Sequence, residues 1–368
     1  MTKVVVGGDI ITNADILPGA PNVKGGWQTL AEDAIRHKAV VSAIEMAFRV
    51  LRHPDAKEGL AKIAKEVLKH ESVSGSGKSQ PDYPIANVDA WLNKLETDFV
   101  RVQITLLKAG VSGKTLRYKG CGNNLDNWTH DSGEILLHSD LVFALAAAQK
   151  DLNAELAKFS KMEDKNAIRK SQLGKGVNAN KFFLGWVVAH EITHLWVGFV
   201  RKADGRLTPP TVAGYGLGDE RRGESGWFLE ASLLRNDRLV MLGNEGDNKK
   251  QAGTVALRRD TEDGELYVYP TDEYLANATD NWFVIPLPIE AGKEKITSAQ
   301  LVKMNLTKLW KIREDQPLSN PSSLKAADSA SENSADKGKG AAVVAPAAPV
   351  ASSSKRPAKV VSKPGGKP

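Results

Sequence analysis

Apolar residues recur at steps of three and four along much of this chain, the spacing that predicts amphipathic helices. Segments with this pattern lie at 27–70 with a break at 53–55, at 87–110, 143–162 and 182–200, at the start of 226–242, and at 298–315. Short β-like segments lie at 115–121, 133–142, 254–259, 265–270 and 282–289, and residues 1–26 form an irregular lead-in. The pattern predicts an α+β fold that is mainly helical, with Gly110 as the C-cap of the 87–110 helix.

The composition of the chain changes at about residue 317. From there to residue 368 it is rich in Ser, Ala, Pro and Lys and contains no aromatic residue. Such a segment cannot bury enough apolar surface to offset the entropy lost on ordering, so it is predicted to be disordered. The chain is therefore divided into a helical N-terminal part, 1–110, a core, 111–316, and a disordered basic tail, 317–368.

Most of the positive charge belongs to this tail. The formal net charge is +6, and residues 317–368 hold eight Lys and Arg against three Asp and Glu. The rest of the chain is nearly neutral, so nucleic acid is expected as a partner only weakly, through the tail. Cys121 is the one cysteine, which excludes an internal disulfide. Together with the lack of a recognisable signal sequence, this predicts an intracellular protein of the cytoplasm or nucleus, with no membrane partner.

Two segments end like a phosphate-binding loop, GSGKS at 75–79 and GVSGKT at 110–115. That loop needs a further glycine five positions before the Gly-Lys pair. Those positions hold Ser72 and Lys108. Each segment is therefore predicted to be a plain turn.

The stretch VVAHEITHLWVGFV, residues 187–200, places two histidines and a glutamate inside an apolar helix. His190 and His194 are four residues apart and share one helix face, so both imidazoles can bind one metal ion. Glu191 is turned by roughly 100° from His190 and can reach a water on that metal as general base. A helix that is apolar all round is predicted to be buried, and buried ionisable groups need a compensating partner such as a dication.

This H-E-x-x-H segment resembles the zincin metallopeptidases, which implies that 111–316 is a zincin-like catalytic core holding one Zn²⁺. The chain is also similar to uncharacterised fungal proteins that pair such a helix with a downstream GESG segment and a later glutamate. Val200 stands where the metzincin pattern needs a histidine, and no histidine follows His194. Gluzincins take the third ligand from a glutamate on a second helix, and WFLEAS resembles that segment.

Two glutamates can supply this ligand. Glu230 lies among apolar residues and is preferred, while Glu224 is the rival because its arginine neighbours and a predicted helix start explain it otherwise. Asp219 is a weaker candidate.

The resemblance implies a zinc-dependent peptidase in which Glu191 takes a proton from the attacking water and passes it to the leaving amine. Its substrate would be a peptide or protein. A tyrosine is expected to stabilise the oxyanion, with Tyr269, Tyr274 and Tyr215 as candidates, and residues 133–141 are a candidate for the edge strand that lines the cleft. The alternatives are a non-catalytic binding or scaffold protein that keeps a zinc site, or a polyanion-associated protein acting through its basic tail.

Overall fold

A computed structural model of the chain gives the fold over twelve segments. It describes residues 4–8, 28–72, 82–108, 110–118, 121–201, 208–214, 223–244, 253–262, 264–280, 282–288, 296–304 and 306–311. The predicted disordered tail, 317–368, and the GSGKS segment lie outside the described residues, as does most of the predicted lead-in.

Three helices form most of the N-terminal part: α1 (Ile35–Leu51), α2 (Pro54–Ser72) and α3 (Ile85–Thr97). The break predicted at 53–55 separates α1 from α2. The helix predicted over 87–110 is wrong beyond Thr97, because Val102 and Ile104 are buried while Arg101 is exposed. This alternation is the pattern of a strand with one buried face.

The first sheet is mixed and has five strands. They are β1 (Val6–Gly8), β2 (Gln28–Thr29), β3 (Arg101–Thr105), β4 (Gly113–Arg117) and β5 (Gly133–His138), in the order β2-β1-β3-β5-β4. Strands β1, β3 and β5 are parallel, and β4 pairs antiparallel to β5 at one edge. The GVSGKT segment is therefore not a plain turn, because its Gly113, Lys114 and Thr115 open strand β4.

Three helices follow this sheet: α4 (Ser139–Leu156), α5 (Met162–Arg169) and α6 (Gln172–Val200). Helix α6 contains the H-E-x-x-H segment and contacts α1, α4 and β4. It is long and apolar enough to cross a membrane by length and composition alone, but 89% of its most apolar window is buried inside the fold. The predicted burial of this helix is confirmed, and its environment is that of a central core helix.

The remaining elements build a second, antiparallel sheet with three further helices. They are α7 (Ser225–Leu233), β6 (Arg238–Asn244), β7 (Thr254–Thr261), β8 (Gly264–Val268), α8 (Asp272–Asp280), β9 (Ile296–Thr297), α9 (Ser298–Lys303) and β10 (Leu306–Lys311). The sheet order is β10-β6-β7-β8-β9, and α6 contacts β6 and β7. The predicted α+β, mainly helical class is confirmed over the described residues.

Two predictions for this half are wrong. The last helix, predicted over 298–315, ends at Lys303, and the chain then forms β10 antiparallel to β6. The strand predicted at 282–289 is absent over the described residues 282–288, which follow α8 without pairing to a sheet. Whether a segment forms a strand depends on a distant strand that can pair with it. Residues 306–311 have such a partner in β6, whereas residues 282–288 pair with no strand of the described sheets.

Residue 110 marks no structural boundary. Strands β1 and β3 from the N-terminal part share a sheet with β4 and β5, and α1 packs along α6. The compact unit extends from Met1 to Asp315, so the parts divided at residue 110 by sequence share one core.

Candidate metal centre

The two histidines of helix α6 lie side by side on one face of the helix. Their ring centroids are 5.1 Å apart, as expected for residues one turn apart. His190 is 3% exposed, although it is polar and ionisable. His194 is partly exposed, with 13% of its side chain accessible, so the pair lies at the border of the core.

Glu224 brings a carboxylate to the same point. Its Oε1 atom lies 3.1 Å from His190 Nε2 and 2.5 Å from His194 Nε2. One ligand atom from each of these three residues lies within 4.8 Å of the other two. Two atoms that bind one zinc ion at roughly 2.0–2.1 Å lie at most roughly 4 Å apart, and both distances from Glu224 Oε1 are within this limit. This buried group can hold a metal ion.

The place of Glu224 in the chain explains why it was only the second candidate for the third metal ligand. It is the N-cap residue of α7, the position at which an acid is explained by the helix dipole. Its side chain makes no capping hydrogen bond and reaches the two imidazoles instead. Arg221 and Arg222, which seemed to account for the charge, lie outside the described residues.

Glu230, the preferred third ligand, is on the opposite side of His190. Its Oε1 atom lies 2.5 Å from His190 Nδ1, whereas Glu224 is beside Nε2 of the same ring. The two glutamates are six residues apart, a rotation of roughly 240° on a helix, so they approach the imidazole from different directions. The carboxylate that lies beside both histidines therefore belongs to Glu224, and not to Glu230, which sequence favoured.

Both imidazoles are held at the nitrogen that faces away from Glu224. Glu230 holds Nδ1 of His190, and Ser225 Oγ lies 3.1 Å from Nδ1 of His194. A histidine that binds a metal commonly uses its second ring nitrogen in such a hydrogen bond, which fixes the tautomer and the orientation of the ring. Both histidines therefore have the second contact that a metal ligand would need.

Glycine at position 226 allows α7 to approach His190 this closely. A Cβ atom on Gly226 would lie 2.5 Å from Cγ, Cδ2 and Cε1 of the His190 ring. Just before the helix, Gly223 N donates to Thr208 O at 2.9 Å and Glu224 N donates to Val212 O at 2.6 Å. The GESG segment therefore places one carboxylate and one hydroxyl on the histidines through its backbone position.

Gly226→Ala is expected to weaken metal binding at least tenfold and to destabilise the fold by about 1–3 kcal/mol, as overpacking a rigid site does. The His190 ring is fixed between two carboxylates and cannot yield to the new methyl group. Metal titration and denaturant unfolding measure both effects. Gly59→Ala on α2 is the control, since its Cβ would meet the flexible Cδ1 of Leu229 on α7 at 2.7 Å and Ser232 Oγ at 3.4 Å. Equal losses in both variants would contradict this account.

The buried charges of the site depend on one another. Burial by itself lowers the pKa of His190, but the carboxylates of Glu230 and Glu224 outweigh burial and raise that pKa to about 10. Burial raises the pKa of Glu224, yet His194 and His190 hold it well below its usual range. The pKa of Glu230 stays raised by burial, with His190 acting against this. Without a metal the site therefore keeps a proton on His190, and metal binding must displace it.

Glu191 lies against the edge strand β4. Its Oε2 atom accepts a hydrogen bond from Thr115 Oγ1 at 2.7 Å. Arg117, two residues further along β4, has its pKa lowered to about 10, first by burial and then by Arg201, while Glu224 and Glu191 act in the opposite direction. Thr115, Arg117 and Ser225 were not predicted as site residues. The GVSGKT segment contains Thr115 and the GESG segment contains Ser225, and these two segments were the only sequence features that pointed to them.

Two of the tyrosine candidates, Tyr274 and Tyr269, lie in the described part of the chain. The hydroxyl of Tyr274 donates to Val284 O at 3.0 Å, and its ring packs on Phe182, two helical turns before His190. Tyr269 is buried in a separate hydrophobic cluster of the second sheet. Tyr215 and the weaker ligand candidate Asp219 lie outside the described residues.

The candidate edge strand also needs a correction. Residues 133–138 form β5, which pairs with β3 on one side and β4 on the other and is therefore internal. The edge beside α6 is β4, which contacts that helix directly.

Comparison of this chain with protein-family models, with curated proteins and with solved structures finds no match. The case for a function therefore depends on the geometry of the site.

Proposed function

We propose that this protein is a zinc-dependent metallopeptidase with a zincin-like core. The observation that carries the proposal is the buried group of His190, His194 and Glu224, in which both histidines are also held at their other ring nitrogen. Converging ligand atoms alone are common on protein surfaces. Converging ligands with complete outer contacts inside a core are typical of metal sites.

The chemistry of the donor atoms favours zinc. Two imidazoles and one carboxylate are the ligands of many catalytic zinc sites, which leave a fourth position for water. Such a zinc ion lowers the pKa of a bound water towards neutrality and polarises a substrate carbonyl. The same donor types also suit non-haem Fe(II), so metal identity has to be measured.

Glu191 supports a hydrolytic role. It follows His190 directly, is 4% exposed, and is not one of the three grouped residues. A buried carboxylate next to a metal site can take a proton from water and deliver it to the leaving amine of a peptide. The same Glu191 carboxylate would therefore act first as the base and then, once protonated, as the acid.

The surroundings of α6 agree with a zincin-like arrangement. The H-E-x-x-H helix packs against a mixed sheet whose edge strand β4 is antiparallel to its neighbour β5. The free edge of such a strand presents backbone groups that an extended peptide can pair with. This position would place a peptide next to Glu191, and a peptide or protein is accordingly the proposed substrate.

A digest of a peptide library tests the proposal. We expect the zinc-loaded protein to cleave peptide bonds and the same preparation to lose this activity after metal removal by a chelator, then regain it when zinc is restored. Cleavage that survives complete metal removal would contradict a metal mechanism. A protein that binds zinc tightly but cleaves no member of a broad library would instead favour a binding or scaffold role.

A further inference from the structure

Strand β4 contacts Glu191, the proposed general base, through two residues on one of its faces. Gly113 and Thr115 are two positions apart, so they project on the same side of the strand, towards α6. Lys114 between them is exposed. The Gly-Lys-Thr sequence that resembled a phosphate loop thus lies against Glu191.

The hydroxyl of Thr115 contacts Glu191 twice. Its Oγ1 atom lies 2.7 Å from Oε2 of the Glu191 carboxylate and 2.8 Å from the Glu191 backbone oxygen. Both partners are acceptors on one residue that is 76 positions away in the chain. A single hydroxyl therefore links the backbone and the carboxylate of Glu191 to the strand.

Gly113 closes the other side of the same carboxylate. A Cβ atom on Gly113 would lie 2.9 Å from Glu191 Oε1, 3.0 Å from Glu191 Cγ and 3.0 Å from Val187 Cγ1. These distances are tighter than ordinary contacts, so the backbone of β4 approaches Glu191 as closely as a glycine permits. The carboxylate is confined by the backbone at one oxygen and by a hydrogen bond at the other.

We propose that Thr115 is a positioning residue for Glu191, and that β4 holds this carboxylate in one orientation. The inference rests on the proposed function for the role of Glu191. A glutamate side chain has three rotatable bonds, and ordering it without a partner costs roughly 1–2 kcal/mol. A misplacement of about 1 Å in a reacting group can cost about a hundredfold in rate. Thr115 removes this freedom before substrate arrives.

Acetohydroxamate binding provides a test that needs no turnover. This small molecule chelates a metal ion and presents its own hydrogen-bond donor to a nearby carboxylate. We expect Thr115→Val in the full-length zinc-loaded protein to weaken acetohydroxamate binding at least fivefold by calorimetry. Thr115→Ser, which keeps the hydroxyl, and Lys114→Ala on the opposite face should stay within about twofold of wild type. Valine preserves the shape and strand preference of threonine, and equal zinc content and melting temperature verify folding.

The Glu191→Gln background separates positioning from a general effect. There Thr115→Val should change acetohydroxamate affinity by less than twofold, because its effect passes through the Glu191 carboxylate. With a peptide substrate, Thr115→Val should lower kcat at least tenfold and leave KM within about threefold. Unchanged affinity in Thr115→Val, or equal losses in both backgrounds, would overturn the positioning role and leave the proposed function intact. A wild type that binds neither zinc nor acetohydroxamate would overturn both.

Discussion

Replacing Glu191 with glutamine is expected to lower peptide hydrolysis by the zinc-loaded protein by at least a hundredfold. The amide has nearly the size of the carboxylate and can still contact Thr115, but it cannot accept a proton from water. General-base catalysis by a positioned side chain contributes about 10²- to 10⁴-fold, so this one atom change removes most of the rate. Hydrolysis is measured as kcat/KM on a peptide found in the library digest.

The loss of hydrolysis identifies Glu191 as the general base only if the Glu191→Gln variant still binds zinc. Glu191 is not one of the three residues that converge, so we expect zinc content in Glu191→Gln to equal that of wild type. Glu273→Gln is the matched control, an exposed carboxylate on α8 that should leave the rate unchanged. Full activity in Glu191→Gln would exclude this residue as general base.

The second large effect concerns the two glutamates of α7. Glu224→Gln is expected to weaken zinc binding by more than a hundredfold, because it removes the one carboxylate that lies beside both Nε2 atoms. Glu230→Gln loses the charge but keeps an oxygen that can accept from His190 Nδ1. Zinc affinity should therefore fall about tenfold, the smaller end of the range for residues that hold a metal ligand without binding the metal. Competition with a chromogenic chelator measures both affinities.

These two substitutions are matched in size, chemistry and helix, which makes their comparison sharp. The reverse order, with zinc lost in Glu230→Gln and retained in Glu224→Gln, would restore the assignment favoured by sequence. Retention of zinc in both variants would mean that the third ligand lies elsewhere in the chain.

The H-E-x-x-H helix could be predicted because its evidence is local. The apolar residues that surround His190, Glu191 and His194 are all within one helix, and their burial follows from composition. Most of the other helices were predictable for the same reason, since each has its own apolar periodicity.

What local pattern did not predict depends in each case on a distant segment. Residues 306–311 form a strand because β6 is available to pair with them, which no local pattern reports. Glu224 had a sufficient local explanation as a helix N-cap, and its position beside the histidines depends on backbone hydrogen bonds from Gly223 to Thr208 and from Glu224 to Val212. Thr115 is 76 positions away from the carboxylate that it holds.

Metal analysis of the purified protein tests the central claim most directly. Elemental analysis, together with anomalous diffraction at the zinc absorption edge, determines which metal is bound and where. The account predicts about one zinc ion per chain, located between His190, His194 and Glu224. A protein that is metal-free as purified, takes up no zinc, and melts at the same temperature with and without a strong chelator would contradict it.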